Sequence, residues 1–247
     1  MIISVVVPVH NEAGTISGVV ADLARELSRV AGNEWEVIVV DDASTDRLDR
    51  EGLVRRNGVR VLTLAVRGGS GHARRIGTRA ATGDWVGWID GDGTYHASDL
   101  CRLLLQAGDA DQVIGARNAE FGSGRLVRAV VKRATFAVAS WSWRTRIEDL
   151  NSGIRVFRRE RLLEFLDEIP DGFSCTSTAT LASLNCGHAV VFLPVKYGPR
   201  SAAGRSKFHP LWDTWRLWRV VAHQWRRRAA KASNRRARDV SNLAEKA

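Results

Sequence analysis

An α/β fold with a mainly parallel sheet is predicted by three features of this 247-residue sequence. Short apolar runs alternate with helix-periodic segments through the first half, the pattern of parallel βαβ units. No fixed-period repeat or low-complexity linker interrupts it, so one core domain is expected. Two of the apolar runs end in aspartate pairs: Trp35-Glu36-Val37-Ile38-Val39-Val40 closes on Asp41-Asp42, and Trp85-Val86-Gly87-Trp88-Ile89 leads into Asp90-Gly91-Asp92. Open α/β sheets bind ligands at the carboxyl ends of their strands. Hard oxygen ligands in close succession suit a divalent cation that also holds phosphate oxygens. The pairs therefore point to a nucleotide-diphosphate site built around a metal.

The elements follow in order. Ile2 to Val9 is a nearly continuous apolar run, as in a strand buried on both faces. From Thr15 to Val30, Ile16, Val19, Val20, Leu23 and Leu27 recur at helical spacing. Glu36–Val40 and Val59–Leu64 predict the second and third strands. Gly71 to Ala81 predicts a helix of small and basic residues, stopped by Thr82-Gly83. Trp85–Ile89 predicts the fourth strand, and Gln112–Gly115 a fifth after a helix near Ser98–Gln106. The second half is less regular. Gly122-Ser123-Gly124, with Arg125, Arg128, Lys132 and Arg133, predicts a basic loop entering a helix. Gly153–Phe157 and Ala189–Val195 predict strands around a helix at Thr176–Asn185.

The formal net charge of +10 is unevenly placed. Residues 200–247 hold 13 Lys/Arg against 3 Asp/Glu, leaving 24 of each sign in residues 1–199. The basicity therefore describes a partner of the tail, not of the whole domain. Cys101, Cys175 and Cys186 form no CxxC or other metal-ligand spacing, and three is an awkward number for a disulfide framework, so a reducing compartment is expected. No apolar run reaches the roughly 18 residues of a bilayer span. Met1-Ile2-Ile3-Ser4 lacks a basic leader and runs into a strand, unlike a signal peptide. A cytoplasmic protein, soluble or peripheral on the inner membrane face, is expected.

Six motifs carry a family resemblance. Val5-Val6-Val7-Pro8-Val9-His10-Asn11-Glu12, Val40-Asp41-Asp42-Ala43-Ser44-Thr45-Asp46 and Asp90-Gly91-Asp92 come first. Val113-Ile114-Gly115-Ala116-Arg117-Asn118, Asp149-Leu150-Asn151-Ser152-Gly153-Ile154-Arg155-Val156-Phe157-Arg158-Arg159 and Gly204-Arg205-Ser206-Lys207 follow. In this order they resemble family 2 glycosyltransferases of the GT-A fold, over about residues 2–210. The nearest branch is the dolichol-phosphate mannose synthase-like one, which glycosylates polyprenyl phosphates. The resemblance implies a Rossmann-like mixed, mainly parallel sheet flanked by helices. It also implies an inverting transfer of a hexose from a GDP- or UDP-sugar to a polyprenyl phosphate, aided by Mg or Mn.

Residue by residue, the resemblance places Pro8, His10, Glu12, Asp41 and Asp42 at the base and ribose, and Asp90 and Asp92 at the metal and diphosphate. A plain strand-end turn, with Ser44 or Thr45 capping the next helix, is the alternative for the first set, and an Asp-Gly turn for the second. Many relatives place a third ligand, Gln, where this chain has Thr94; His96 or water is the substitute. Arg67-Gly68-Gly69-Ser70-Gly71-His72-Ala73-Arg74-Arg75-Ile76-Gly77 lacks the Gly-Lys-Ser/Thr ending of a phosphate loop. By resemblance it lies beside the nucleotide, with Arg74 and Arg75 as solvated side chains. Arg117, Arg200, Ser206 and Lys207 fall to the acceptor phosphate, as suits paired guanidinium donors. An ion pair with Asp90 or Asp149 is the other reading of Arg117, and a solvated basic loop that of the 200–207 segment.

Asp149 falls near the transferred sugar and, with Asp92, carries the catalytic assignment. The glutamate that relatives often carry six residues after a glycine is here Thr178, counted from Gly172. A hydroxyl acceptor needs a general base. A phosphate acceptor, with a second pKa near about 6, is largely dianionic at neutral pH. The missing glutamate thus favours lipid phosphate over a saccharide hydroxyl, with Asp149 the remaining candidate base.

The tail, residues 211–247, predicts a basic, Trp-rich amphipathic helix beyond a domain of residues 1–210. Leu211, Trp215, Trp218, Ala222 and Trp225 share one helical face, flanked by Arg216, Arg219, Arg226, Arg227 and Arg228. Indoles with arginines fit an anionic membrane surface. Docking on the protein's own core and nucleic-acid binding are the rivals. No nucleic acid is expected, because residues 1–199 are neutral and both aspartate pairs are intact.

Overall fold

A computed structural model describes residues 1–117, 135–172, 174–198 and 218–230. Among these residues seven strands form one sheet in the order β3-β2-β1-β4-β6-β5-β7. The strands are β1 (Ile3–Val9), β2 (Trp35–Asp41), β3 (Val59–Thr63), β4 (Trp85–Trp88), β5 (Gln112–Arg117), β6 (Arg155–Arg158) and β7 (Val190–Val195). β1 pairs in parallel with β2 and β4, as do β2 with β3 and β5 with β7. β6 runs antiparallel between β4 and β5. The sheet is therefore mixed and mainly parallel.

Each sequence-predicted strand appears within a residue or two of its expected bounds. All seven residues of β1 are buried, which is why its sequence shows no alternation. Helix α1 (Ile16–Ala31) buries Ile16, Val20, Leu23 and Leu27 against one sheet face and ends at Gly32, whose φ of 57° combined with ψ of −113° suits only a residue without Cβ. Helix α4 (Ala97–Leu105) covers the same face, with Leu100 packed on Gly87. Helix α3 (Ser70–Ala80) lies on the other face. A Cβ at Gly77 would come within 2.4 Å of Val6, so the small residues of this helix let it approach β1 closely.

Three short elements carried no sequence signal, α2 (Arg50–Val54), α6 (Arg159–Leu163) and a 3₁₀ turn at Leu166–Glu168, whereas α5 (residues 135–143) follows the basic loop that was expected to enter a helix. One or two turns are too short for helical periodicity to register. Helix α7 (Cys175–Asn185) was expected, but is buried from Cys175 through Ser183 although five of those residues carry hydroxyls.

The last described helix, α8 (residues 218–230), docks by one face. Val221 joins Phe136, Ala139, Trp143, Ile147, Leu150 and Leu181 in a third apolar cluster. Asn185 donates to the carbonyl and side-chain oxygens of Gln224 at 3.0 and 2.8 Å. Arg227 pairs with Glu168 at 2.8 Å, and Arg228 donates to the Ser142 carbonyl at 2.7 Å. Those two arginines therefore face the protein, not the tryptophan stripe they were expected to flank. Trp218, Ala222 and Trp225 stay exposed. No helix among the described residues is long and apolar enough to cross a membrane. The basic loop from Gly122 to Arg133 and the boundary near residue 210 lie outside the described residues, as do Arg200, Ser206, Lys207, Leu211 and Trp215.

Candidate active site

The carboxyl ends of β1, β2 and β4 bring the first three motifs together. In the loop after β1, Asn11 adopts a left-handed φ of 58°, and its side-chain carbonyl accepts from the backbone N–H groups of Thr45 (2.8 Å) and Asp46 (3.3 Å). Ser44 Oγ accepts from the Asn11 N–H at 3.1 Å, and Asp46 from that of Ala13 at 2.8 Å. Ser44 and Thr45 therefore staple two strand-end loops together. The cap of α2 is Asp49, which accepts from the Gly52 N–H.

The paired aspartates divide their work. Asp41 is fully buried and accepts from Arg50 Nε at 2.7 Å and the Ser44 N–H at 2.9 Å. Burial pushes its pKa up, yet the bonds from Ser44 and Arg50 outweigh that and hold it below the usual range. Asp42 accepts from the N–H groups of Gly68 (2.6 Å) and Gly69 (2.8 Å), fastening the glycine-rich loop beside the β1 end. His10 Nδ1 donates to the Asp42 carbonyl at 2.8 Å. Pro8 lies opposite Val40 in the sheet, and Glu12 reaches the β4 end. A Cβ at Gly91 would come 2.7 Å from Glu12 Oε2 and 3.3 Å from the Pro8 carbonyl, so glycine lets Glu12 approach the backbone between the two aspartates of Asp90-Gly91-Asp92.

Asp90 and Asp92 sit in different surroundings. Asp92 is buried, and its Oδ1 accepts from the Thr94 hydroxyl (2.6 Å) and N–H (3.1 Å). Thr94 thus orients the carboxylate. His96 is exposed at the start of α4. Asp90, about a third exposed, is gripped by Arg74 at 2.5 Å. Arg74 is buried, touches Cys175 Sγ at 3.4 Å, and is not the solvated side chain that the sequence suggested. Arg75 is likewise occupied, by the Ile169 carbonyl and Asp171. Gly153 packs so tightly on Asp90 that a Cβ there would lie 2.0 Å from Oδ2.

Across this edge, Arg117 closes β5 and binds Asp149 with both ends, Nε to Oδ2 at 2.7 Å and Nη2 to Oδ1 at 3.0 Å. Its guanidinium also lies over the Tyr197 ring, 5.3 Å from the centroid. Burial opposes the charge on Arg117, but Asp149 more than offsets it and raises the pKa. Tyr95 donates no acidity here: burial pushes its phenol up to about 12, and its oxygen accepts from the Gly153 N–H at 2.9 Å. Behind these groups Arg155 is fully buried, donating to the carbonyls of Thr176 (2.8 Å) and Ser152 (2.5 Å) and to Thr180 Oγ1 (3.1 Å). Burial and the like charge of Arg74 pull its pKa down to about 10. Arg74 and Arg155 put two buried positive charges behind the edge. Sequence reasoning gave Tyr95 no role, placed Arg155 only within the Asp149–Arg159 motif and took Arg74 for a solvated side chain, because nothing in their spacing shows what they meet in the fold. Thr178 is buried in α7.

Residues 4–176 match the sequence profile described as Glycosyl transferase family 2. The chain belongs to that family. It is 30% identical to Glycosyltransferase AglJ of Haloferax volcanii, across 85% of this chain and 68% of the relative. It shares 30% identity with the dolichyl-phosphate beta-glucosyltransferase of Saccharomyces cerevisiae over 41% of this chain and 33% of that protein. Among solved structures, glucosyl-3-phosphoglycerate synthase from Mycobacterium tuberculosis, in complex with Mn2+, UDP and phosphoglyceric acid, superimposes with a TM-score of 0.66 at 26% identity. That match covers 92% of this chain and 78% of the synthase. The family 2 glycosyltransferase described here thus has the GT-A architecture, with its aspartate motifs on the sheet edge expected of it.

Proposed function

We propose that this glycosyltransferase moves a hexose, with inversion, from a nucleotide diphosphate sugar to a polyprenyl phosphate at the cytoplasmic face of a membrane. The observation that carries the reading is one sheet edge holding Asp90 and Asp92 beside a buried Asp149–Arg117 pair, with two arginines behind them. Pro8, His10, Glu12 and Asp42 border the base and ribose, and Asp41 shapes that end through the loop that it and Arg50 fix. Asp90 and Asp92 offer hard carboxylate oxygens, and Thr94 already orients one of them, so the donor set fits Mg2+ or Mn2+. Such an ion neutralises the diphosphate and stabilises the leaving nucleotide. The complex of the M. tuberculosis synthase with Mn2+ and UDP supports it.

Arg117 would exchange Asp149 for the acceptor phosphate, joined by Arg200, Ser206 and Lys207. Gly198, the last described residue before Arg200, donates its N–H to the carbonyl of Thr94, the residue that orients Asp92, at 3.0 Å. A phosphate dianion attacks the anomeric carbon without a base, in keeping with hydroxyl-bearing Thr178 where relatives carry glutamate. Asp149, released from Arg117, then positions the sugar. The dolichyl-phosphate beta-glucosyltransferase relative supports a lipid phosphate acceptor. The exposed Trp218 and Trp225, with exposed Arg219 and Arg226, support a peripheral membrane contact.

A matrix of GDP- and UDP-hexoses against a short polyprenyl phosphate, a saccharide and 3-phosphoglycerate tests the reading. A glycosylated lipid phosphate of inverted anomeric configuration is the expected product. Turnover confined to either soluble acceptor would overturn the acceptor assignment while leaving the donor site standing.

A further inference from the structure

We propose that Glu164, Cys186 and His188 form a second metal site, a zinc site, at the sheet edge opposite the transfer centre. One ligand atom from each lies within 4.8 Å of the others, and His188 Nε2 is 3.0 Å from Glu164 Oε2. Tetrahedral zinc with ligand bonds of about 2.0–2.3 Å separates its ligands by roughly 3.3–3.6 Å. The nitrogen and oxygen are therefore within a few tenths of an ångström of that spacing, and the sulfur needs a shift of about 1 Å.

Local structure supplies the rest. Helix α7 ends at Asn185, and Gly187 takes a left-handed φ of 81°, which turns the chain so that Cys186 and His188 converge. Both ligands flanking the position have supports of the kind that metal sites use. Without a metal, His188 Nε2–H donates to Glu164 Oε2 at 3.0 Å; moving that proton to Nδ1, where Ser183 Oγ sits 3.3 Å away and can accept it, frees the Nε2 lone pair for a metal. Arg161 holds Glu164 Oε1 at 3.0 Å, leaving Oε2 on the His188 side. The hydrogen bond from Arg161 keeps Glu164 below the usual carboxylate range, with a smaller contribution from His188. Phe165, buried, walls the imidazole with ring centroids 6.0 Å apart.

Thiolate, imidazole and carboxylate together select zinc over magnesium or calcium. Three protein ligands leave a fourth position for water. Binding forms the sulfur–zinc bond as the Cys186 thiol releases its proton to solvent, so affinity rises with pH. The site is separate from Asp90 and Asp92. Cys175, at the start of α7, touches Arg74, whereas Cys186 follows the helix end 11 residues on, about 16 Å away at 1.5 Å per residue. His188 precedes β7, at the amino-terminal edge of β5 and β7. A bound ion would tie α6 to the α7–β7 turn.

The test is Co2+ titration of the full chain, read by the near-ultraviolet band of thiolate bound to cobalt. One equivalent should produce the band in wild type and in Asp90→Asn/Asp92→Asn. Cys186→Ser should abolish it with an unchanged circular dichroism spectrum, and Zn2+ should raise the melting temperature of wild type but not of that variant. Ser183→Ala, which leaves all ligands in place, should keep the band with affinity lowered about tenfold. No band in wild type, or a band surviving in Cys186→Ser, would overturn the site; so would full affinity in Ser183→Ala should Cys186→Ser not fold.

Discussion

Asp92 and Arg117 show how single residues set the site before any ligand arrives. Thr94 supplies two donors to one Asp92 oxygen, so the carboxylate is oriented in advance. Asp92→Asn should keep the fold and lower turnover by about 10²-fold or more, the scale for loss of a preorganised charge stabiliser. EDTA should act similarly on wild type, and full activity in both assays would reject metal assistance. Arg117→Ala and Lys207→Ala should each weaken use of polyprenyl phosphate while nucleotide affinity, measured by calorimetry, stays near normal. Collapse of nucleotide affinity instead would move these residues to the donor site. Arg117→Ala should also lower stability by about 3–5 kcal/mol, because it strands the buried Asp149 carboxylate.

At the scale of elements, close approach decides more than propensity does. Helix α3 is held against β1 by the absence of a side chain at Gly77, where a Cβ would meet Val6 at 2.4 Å. Gly77→Val should destabilise by about 1–3 kcal/mol through overpacking, seen as a lower urea midpoint. Gly18, on the exposed face of α1 with nothing within 4 Å of its would-be Cβ, behaves oppositely. Gly18→Ala should raise stability by about 0.4–1 kcal/mol, since it only restricts the unfolded chain. Equal effects of the two substitutions on the midpoint would contradict the packing argument.

For the molecule as a whole, α8 docks on the protein by one face and leaves its other face open to the proposed membrane contact. Its Val221 and Gln224 face docks on α5 and α7, while Trp218, Ala222 and Trp225 face outward. Trp218→Ser/Trp225→Ser should therefore fold and turn over a soluble short-chain acceptor normally, yet bind anionic vesicles more weakly. Unchanged vesicle binding by the double variant would reject the anchor. Val221→Asp should by contrast lower the melting temperature, since it places a charge in an apolar cluster without a partner.

By itself the sequence determined the strands, three of the long helices of the first half and the aspartate motifs, because those signals are local. A strand buried on both faces must be apolar throughout, and a carboxylate at its end must lie on the sheet edge. The Ile16–Leu27 spacing could only be a helix with one buried face. Tertiary structure decided who partners whom. Arg74 and Arg155 read as ordinary basic residues, and only folding buries them behind Asp90 and Asp149, where charge is tolerated because opposite charge or fixed carbonyls meet it. The same holds for Glu164 and His188, 24 residues apart in the chain and 3.0 Å apart in space. Periodicity records which face of an element is buried; it carries no record of which distant side chain that face will meet.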